Sequence, residues 1–129
     1  RRSGIPVDRS DHGGGFVFDC RCLPNPGNFE EYQVLTGLDN LVQDWLEAKE
    51  ETIMFLNHLK GTLDLSVKRY IARDFERLMV SCGCTGGQHR SVYVAENLGK
   101  HFSRYPGLSV QLTHTERSFW PASTQLQER

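Results

Sequence analysis

Nine consecutive residues, Gly83-Cys84-Thr85-Gly86-Gly87-Gln88-His89-Arg90-Ser91, combine glycines with a thiol, hydroxyls, an imidazole and a guanidinium. An apolar strand-like run precedes them and a helical pattern follows. The first-turn amides of a helix have no intrahelical partner and carry the positive end of its dipole. Gly86 and Gly87 allow backbone N–H groups to turn inward with no Cβ in the way. Thr85 and Ser91 add hydroxyl donors, and the Arg90 fork matches two phosphate oxygens. An arginine in a first helical turn opposes the dipole unless an anion is present. The segment therefore reads as a phosphate-binding loop between a strand and a helix. The bland alternative is a glycine turn with incidental neighbours. That turn does not require Thr, His, Arg and Ser around two glycines.

Cys84 and Arg90-Ser91 also match the C-x5-R-[S/T] spacing of cysteine-dependent phosphatases. In those enzymes a thiolate attacks phosphorus while the Arg and the loop amides hold the other oxygens. The same field would lower the pKa of Cys84. Two features oppose catalysis. Gly83 stands where such enzymes usually carry His, and Asp19 is the only tempting general acid. The preferred reading makes Cys84 a small loop-lining residue and the chain a binder rather than an enzyme.

Asp19, Arg21 and Asn25 fall at or just past the end of the first strand. In an open α/β sheet this is the ligand edge, shared with the Gly83–Ser91 loop. They could bind the hydroxyls or amine of a sugar, or simply pair with neighbours. Cys20, Cys22, Cys82 and Cys84 form C-x-C pairs within strands, a poor match to zinc knuckles, so no metal and no cofactor is expected. His114 reads as a surface histidine at the end of a last strand. Lys68, Arg69 and Arg73 read as a solvated helix face.

These residues need elements to position them. Phe16–Arg21 is a short apolar run, read as a strand covered on both faces. Leu23–Asn28, with two prolines and a glycine, stops it. Asp39 is a plausible N-cap, followed by Leu41, Val42, Trp45 and Leu46 on one helix face. Glu50 and Glu51 suit the start of a further helix. Its stripe is Ile53, Leu56, Leu59, Leu63, Val67 and Tyr70, with a break expected near Gly61. Arg77–Cys82 is the second strand, and a helix runs from about His89 to Phe102. After Pro106-Gly107, Leu108–Thr113 alternates like a third strand. The expected fold class is α/β: a small, mostly parallel sheet flanked by helices. Residues 1–15 read as a flexible segment, 16–115 as the ligand-binding domain and 116–129 as a polar tail.

The bulk numbers agree with one ordinary domain. The chain has 129 residues, 38% hydrophobic and 24% charged, with a net charge of -1. That balance lacks the overall basic field of a dedicated nucleic-acid binder. No apolar run approaches the roughly 20 residues that span a bilayer, so no membrane partner is expected. The cysteines sit in strands rather than in loops, which favours reduced thiols and a cytoplasmic setting. The chain opens Arg-Arg-Ser-Gly without Met, so a preceding domain is expected.

The loop, read with Phe16-Val17-Phe18-Asp19-Cys20-Arg21, Leu23-Pro24-Asn25-Pro26 and Leu35-Thr36-Gly37-Leu38-Asp39, resembles the C-terminal domain of the RapZ family, bacterial RNase adapter proteins. The resemblance runs from about Gly4 to His114. It implies a domain that follows a P-loop kinase-like domain. It also implies a regulatory domain that senses glucosamine-6-phosphate and, in enterobacterial members, binds small regulatory RNAs. It further implies a fold similar to a subdomain of phosphofructokinase. By position, Cys84, Thr85, Gly86, Gly87, Gln88, His89, Arg90 and Ser91 would line the phosphate site, with Asp19, Arg21 and Asn25 nearby. No G-x-x-x-x-G-K-[S/T] segment occurs in this chain, so nucleotide binding is not carried over. The expected partner is a phosphorylated metabolite; a small RNA, a protein or a second copy of the chain are the others. The rival functions are a phosphatase using Cys84 and an RNA-binding adapter module.

Overall fold

The computed structural model describes residues 15–73 and 77–121. Most of the expected flexible segment 1–15 and the end of the tail 116–129 lie outside them. Two strands form a parallel pair, β1 (Gly15–Asp19) and β2 (Met79–Gly83), with Phe18 opposite Cys82 and Asp19 opposite Gly83. Parallel strands cannot be joined by a tight turn. The crossover contains two 3-10 turns, Pro26–Asn28 and Glu30–Tyr32, then α1 (Asn40–Glu47) and α2 (Glu50–Ala72). After β2 and the loop comes α3 (Arg90–Phe102), then a 3-10 turn at Arg117–Phe119. The fold is α/β, as the sequence implies.

Each element follows from its residues, with some differences. Phe16 and Phe18 point to one side of β1 and stack at 5.7 Å. They pack on the helical core, whereas Val17 on the other side is 63% exposed. The strand is therefore covered on one face only among the described residues, not on both. α2 runs unbroken through Gly61, where nothing crowds the missing Cβ. Twenty-two other helical residues carry that one glycine, whose intrinsic cost is only about 1 kcal/mol. Its buried stripe is Thr52, Leu56, Leu59, Leu63 and Val67, so Ile53 faces outward. Leu41 of α1 is likewise exposed, while Val42 and Leu46 are fully buried. With Cys20, Leu23, Tyr93, Val94, Leu98 and Phe102 these side chains make one core.

Leu108–Thr113 is not a strand. Its alternation is real, but neither described strand pairs with it. Leu112 instead lies against Gly99 of α3, 3.5 Å from where a Cβ would stand. A helix surface, rather than a ladder, receives this extended segment. All four cysteines are free. No described helix is long and apolar enough to cross a membrane.

Candidate anion site at the strand-to-helix loop

Two cavities meet at the Gly83–Ser91 loop. The first, about 250 Å³, is lined by Asn25, Gly27, Gln33, Cys84, Thr85, Gly86, Gln88, His89 and Arg90. The second, about 410 Å³ and more open, is lined by Val17, Phe18, Asp19, Arg21, Gly83, Cys84 and Thr85. The structure thus brings Asn25 together with most of the loop and sets Asp19 and Arg21 beyond Cys84. Gly87 and Ser91 line neither cavity and act as supports.

Arg90 is only 6% exposed. Its Nη1 donates to the carbonyls of Arg21 (3.0 Å) and Leu23 (3.1 Å), which fastens the chain after β1 to the start of α3. Its Nε is buried and has no hydrogen-bond partner among the described residues. A buried, unpaired donor on a cation is costly, and it is the kind of group an anion satisfies. Arg90 therefore serves as a structural tie as well as a wall of the cavity, a double use that its sequence position does not reveal.

Ser91 N–H donates to Cys84 Sγ at 3.4 Å, and the Ser91 hydroxyl is hydrogen-bonded to the same sulfur at 3.2 Å. Burial pushes the Cys84 thiol up. The hydrogen bonds from Ser91 and from the Gly87 backbone, with the Arg90 charge, outweigh it and leave the thiol below its ordinary range. Ser91, the Gly87 amide and Arg90 thus all favour the ionised form of Cys84.

His89 is buried, and its Nε2 lies 2.8 Å from the Tyr32 carbonyl. A carbonyl only accepts, so Nε2 carries the proton and Nδ1 is left as an acceptor in the neutral ring. Burial lowers its pKa, aided by Arg90 and opposed by bonds to the Tyr32 and Leu35 carbonyls. His89 accordingly offers a lone pair rather than a positive charge. Gln88 Nε2 donates to the Gln33 (2.8 Å) and Leu35 (2.7 Å) carbonyls, so its amide staples the loop to the crossover. Asn25 Oδ1 accepts from Gly27 N–H at 2.9 Å, which fixes the turn forming the facing wall.

Asp19 and Arg21 satisfy one another. The guanidinium forks onto the carboxylate with contacts of 2.6 and 2.9 Å, and Arg21 N–H donates as well. Those bonds hold the Asp19 pKa at about 2. At neutral pH Asp19 is ionised and paired with Arg21, which opposes a general-acid role.

Other residues shape the site without a local signal in the sequence. Gly37 N–H donates to the Gln88 carbonyl, and a Cβ on Gly37 would stand 2.4 Å from the His89 carbonyl oxygen. Only glycine lets the crossover approach α3 so closely. Gly87 has φ +64°, and Trp120 Nε1 donates to its carbonyl at 2.9 Å. Trp120 is buried, and the Glu116 side chain packs beside Gly87. His114, expected at the surface, is an inward pair for Glu96 (2.8 Å) and stacks near Trp120. Among the described residues no cluster of His, Cys, Asp or Glu has the makings of a metal site.

Comparison with known proteins returns one family. The model described as RapZ C-terminal domain matches residues 2–118. A nucleotide-binding protein of Lactobacillus acidophilus is 41% identical over 116 residues, which is 89% of this chain and 37% of that protein. A nucleotide-binding protein of Marinobacter nauticus is 43% identical over 115 residues, with 89% and 37% covered. One of Thioalkalivibrio sulfidiphilus is 42% identical over 117 residues, with 91% and 39% covered. The chain thus spans little more than a third of the length of these relatives.

Proposed function

The chain belongs to the RapZ C-terminal domain family, and we propose that its Gly83–Ser91 loop holds the phosphate of a phosphorylated amino sugar, such as glucosamine-6-phosphate, in a regulatory sensing domain. One observation carries the reading: Arg90 lines a small cavity, and its buried guanidinium has an Nε that nothing among the described residues satisfies. The amides around Thr85 and Gly86 would join it on the phosphate. Asn25, Gln33 and the Nδ1 lone pair of His89 supply the neutral acceptors and donors that hydroxyls and an amine need. A cavity near 250 Å³ sits just below the roughly 300–1,000 Å³ of drug-sized pockets, which suits a monosaccharide better than a dinucleotide. The relatives' description as nucleotide-binding applies to proteins far longer than this chain. We assign their nucleotide site to the part that this chain does not cover.

Thermal shift against glucosamine-6-phosphate, glucose-6-phosphate and inorganic phosphate tests the proposal. The amino sugar phosphate is expected to raise the melting midpoint most. No stabilisation by any of them at millimolar concentration sinks it. Hydrolysis is the second reading, because hydrogen bonds from Ser91 and Gly87 lower the Cys84 pKa. The ionised Asp19 leaves that chemistry without its acid. Turnover of p-nitrophenyl phosphate that disappears in Cys84→Ser would reinstate it.

A further inference from the structure

Three of the four cysteines gather on the core side of the parallel pair: Cys20 is fully buried, and Cys82 and Cys84 pack against the same cluster. We propose that Cys84 is an oxidant-reactive residue whose sulfenic acid is captured by Cys20, closing a Cys20–Cys84 disulfide beneath the loop.

The register sets Cys20 level with Cys84, and oxidation at the solvent-facing Cys84 rather than at Cys82 is what selects the pair. Asp19 lies opposite Gly83, and Cys20 N–H donates to the Gly83 carbonyl at 2.7 Å, so the ladder continues one residue past the paired strands. That step sets Cys20 beside Cys84. Neighbouring strands lie about 4.8 Å apart, inside the ~4.4–6.8 Å Cα range of disulfides. Cys82 and Cys84 are two residues apart on one strand. Their Cβ atoms point the same way about 6.5 Å apart, beyond the ~3.5–4.5 Å that a disulfide spans.

Access and reactivity divide between the two sulfurs. Cys84 lines both cavities and can be reached from solvent, whereas Cys20 is sealed. Hydrogen bonds from Ser91 and Gly87 hold the Cys84 sulfur as the better nucleophile. Cys20 stays protonated: its thiol donates to Cys82, and that bond, with burial, raises its pKa. The chemistry balances with a peroxide as the oxidant. The Cys84 thiolate attacks one peroxide oxygen, the O–O bond breaks, and hydroxide leaves with sulfenic acid formed on Cys84. The Cys20 thiol attacks the Cys84 sulfur, the S–O bond breaks, and the departing hydroxyl takes the Cys20 proton and leaves as water as the S–S bond forms. Two electrons pass from the protein to the peroxide. The disulfide removes the acceptor of the Ser91 N–H and draws the loop toward β1. Its effect on ligand binding rests on the phosphate-binding proposal above; the disulfide itself does not.

The experiment is peptide mapping without reduction after treatment of the chain with hydrogen peroxide. The tryptic peptide ending at Arg21 is expected to be joined to the peptide spanning residues 78–90. The join should persist in Cys82→Ser and vanish in Cys84→Ser, and free thiols should fall from four to about two per chain. Cys20→Ser places a hydroxyl at a fully buried core position, so Cys82→Ser and Cys84→Ser carry the decision. Three results would overturn the proposal: a Cys20–Cys82 link, sulfinic acid on an unlinked Cys84, or unaltered thiols. In a separate arm, phosphate-dependent stabilisation should be lost on oxidation and restored by dithiothreitol. If the link forms and phosphate stabilises both redox states equally, the disulfide stands and its coupling to the loop fails; if phosphate stabilises neither state, the binding proposal fails.

Discussion

The two cavities that meet at Cys84 use arginine in opposite ways. Arg21 is exposed and forked onto Asp19, so its Nε and one Nη2 donor are engaged before any ligand arrives. Arg90 is buried, held by two backbone carbonyls and left with an unpaired Nε. Water screens and solvates the first pair, so the cavity it lines gains little field from it. The second is held in place by the fold, so a ligand does not have to order it. A cationic side chain near a cleft is therefore a poor guide by itself. What counts is which of its donors the protein has already used.

The largest expected effect tests the Arg90 side directly. Arg90→Ala leaves the Arg21 and Leu23 carbonyls without their donor and opens a buried hole. It should cost about 3 kcal/mol or more, read by urea unfolding, and abolish stabilisation by phosphate compounds. Arg90→Lys separates the two roles, because a lysine keeps the charge but not the fork. Unchanged stability in both variants would mean that the tie is unimportant.

Gly37→Ala comes next. The new methyl would meet the His89 carbonyl and the Tyr93 nitrogen at 2.4 and 2.5 Å, both backbone atoms. Overpacking of this kind costs about 1–3 kcal/mol. It should also weaken ligand binding, since the displaced turn carries the Gln88 contact. Full retention of both properties would show that the crossover and α3 can part without harm to the cavity.

A smaller effect is expected from His89, through pH. Its folded pKa lies below its unfolded value near 6.5. The unfolded chain therefore binds more protons in the window below that value, and stability falls as pH drops through it. His89→Gln, which can still donate to Tyr32, should flatten the slope of melting midpoint against pH between about 7.5 and 5. An unaltered slope would show that His89 is not the group responsible.

The smallest expected effect is on the other side of Cys84. Arg21→Ala should lower the melting midpoint at neutral pH only slightly, because solvent screens the exposed pair. The Asp19 carboxyl should rise from about 2 toward the ordinary value near 3.9 in an NMR titration. The sign is opposite to that of His89 in chemical origin but not in direction: a depressed carboxyl contributes stability above its unfolded pKa and loses it as pH falls toward 2. Loss of phosphate-compound binding in Arg21→Ala would erase the contrast between the two cavities.

Local patterns in the sequence located β1, β2 and α3, whose ends lie within two residues of the expected ones. Periodicity marked the buried residues of α2 after Leu56, where three- and four-residue steps admit one solution. It misassigned Ile53, because Thr52 begins the inward row and a threonine does not register as core. It misread Leu108–Thr113, because alternation reports one-sided burial and not what does the burying. The grouping of Asn25 with Cys84 to Gly86 and Gln88 to Arg90 around one cavity followed from both segments lying at the strand ends. The roles of Gly37, Gln33 and Trp120 did not follow. Their partners are remote in the chain, as in the Trp120 bond to Gly87 and the Gln88 bond to Gln33. No local pattern encodes such a meeting.

The parallel pair also orders events in time. Two strands alone are marginal in water, and here they join residues 15–19 to 79–83, the two ends of a long crossover. Closing so large a loop before α1 and α2 have packed sacrifices chain entropy with little return. The helices are therefore expected to collapse first and the strands to zip onto them. The loop at Gly83–Ser91 depends on contacts from both β1 and the crossover, so it should be completed last. Its amides should then gain protection from hydrogen exchange after those of α2 in a refolding pulse, and a bound anion should slow unfolding more than it speeds folding.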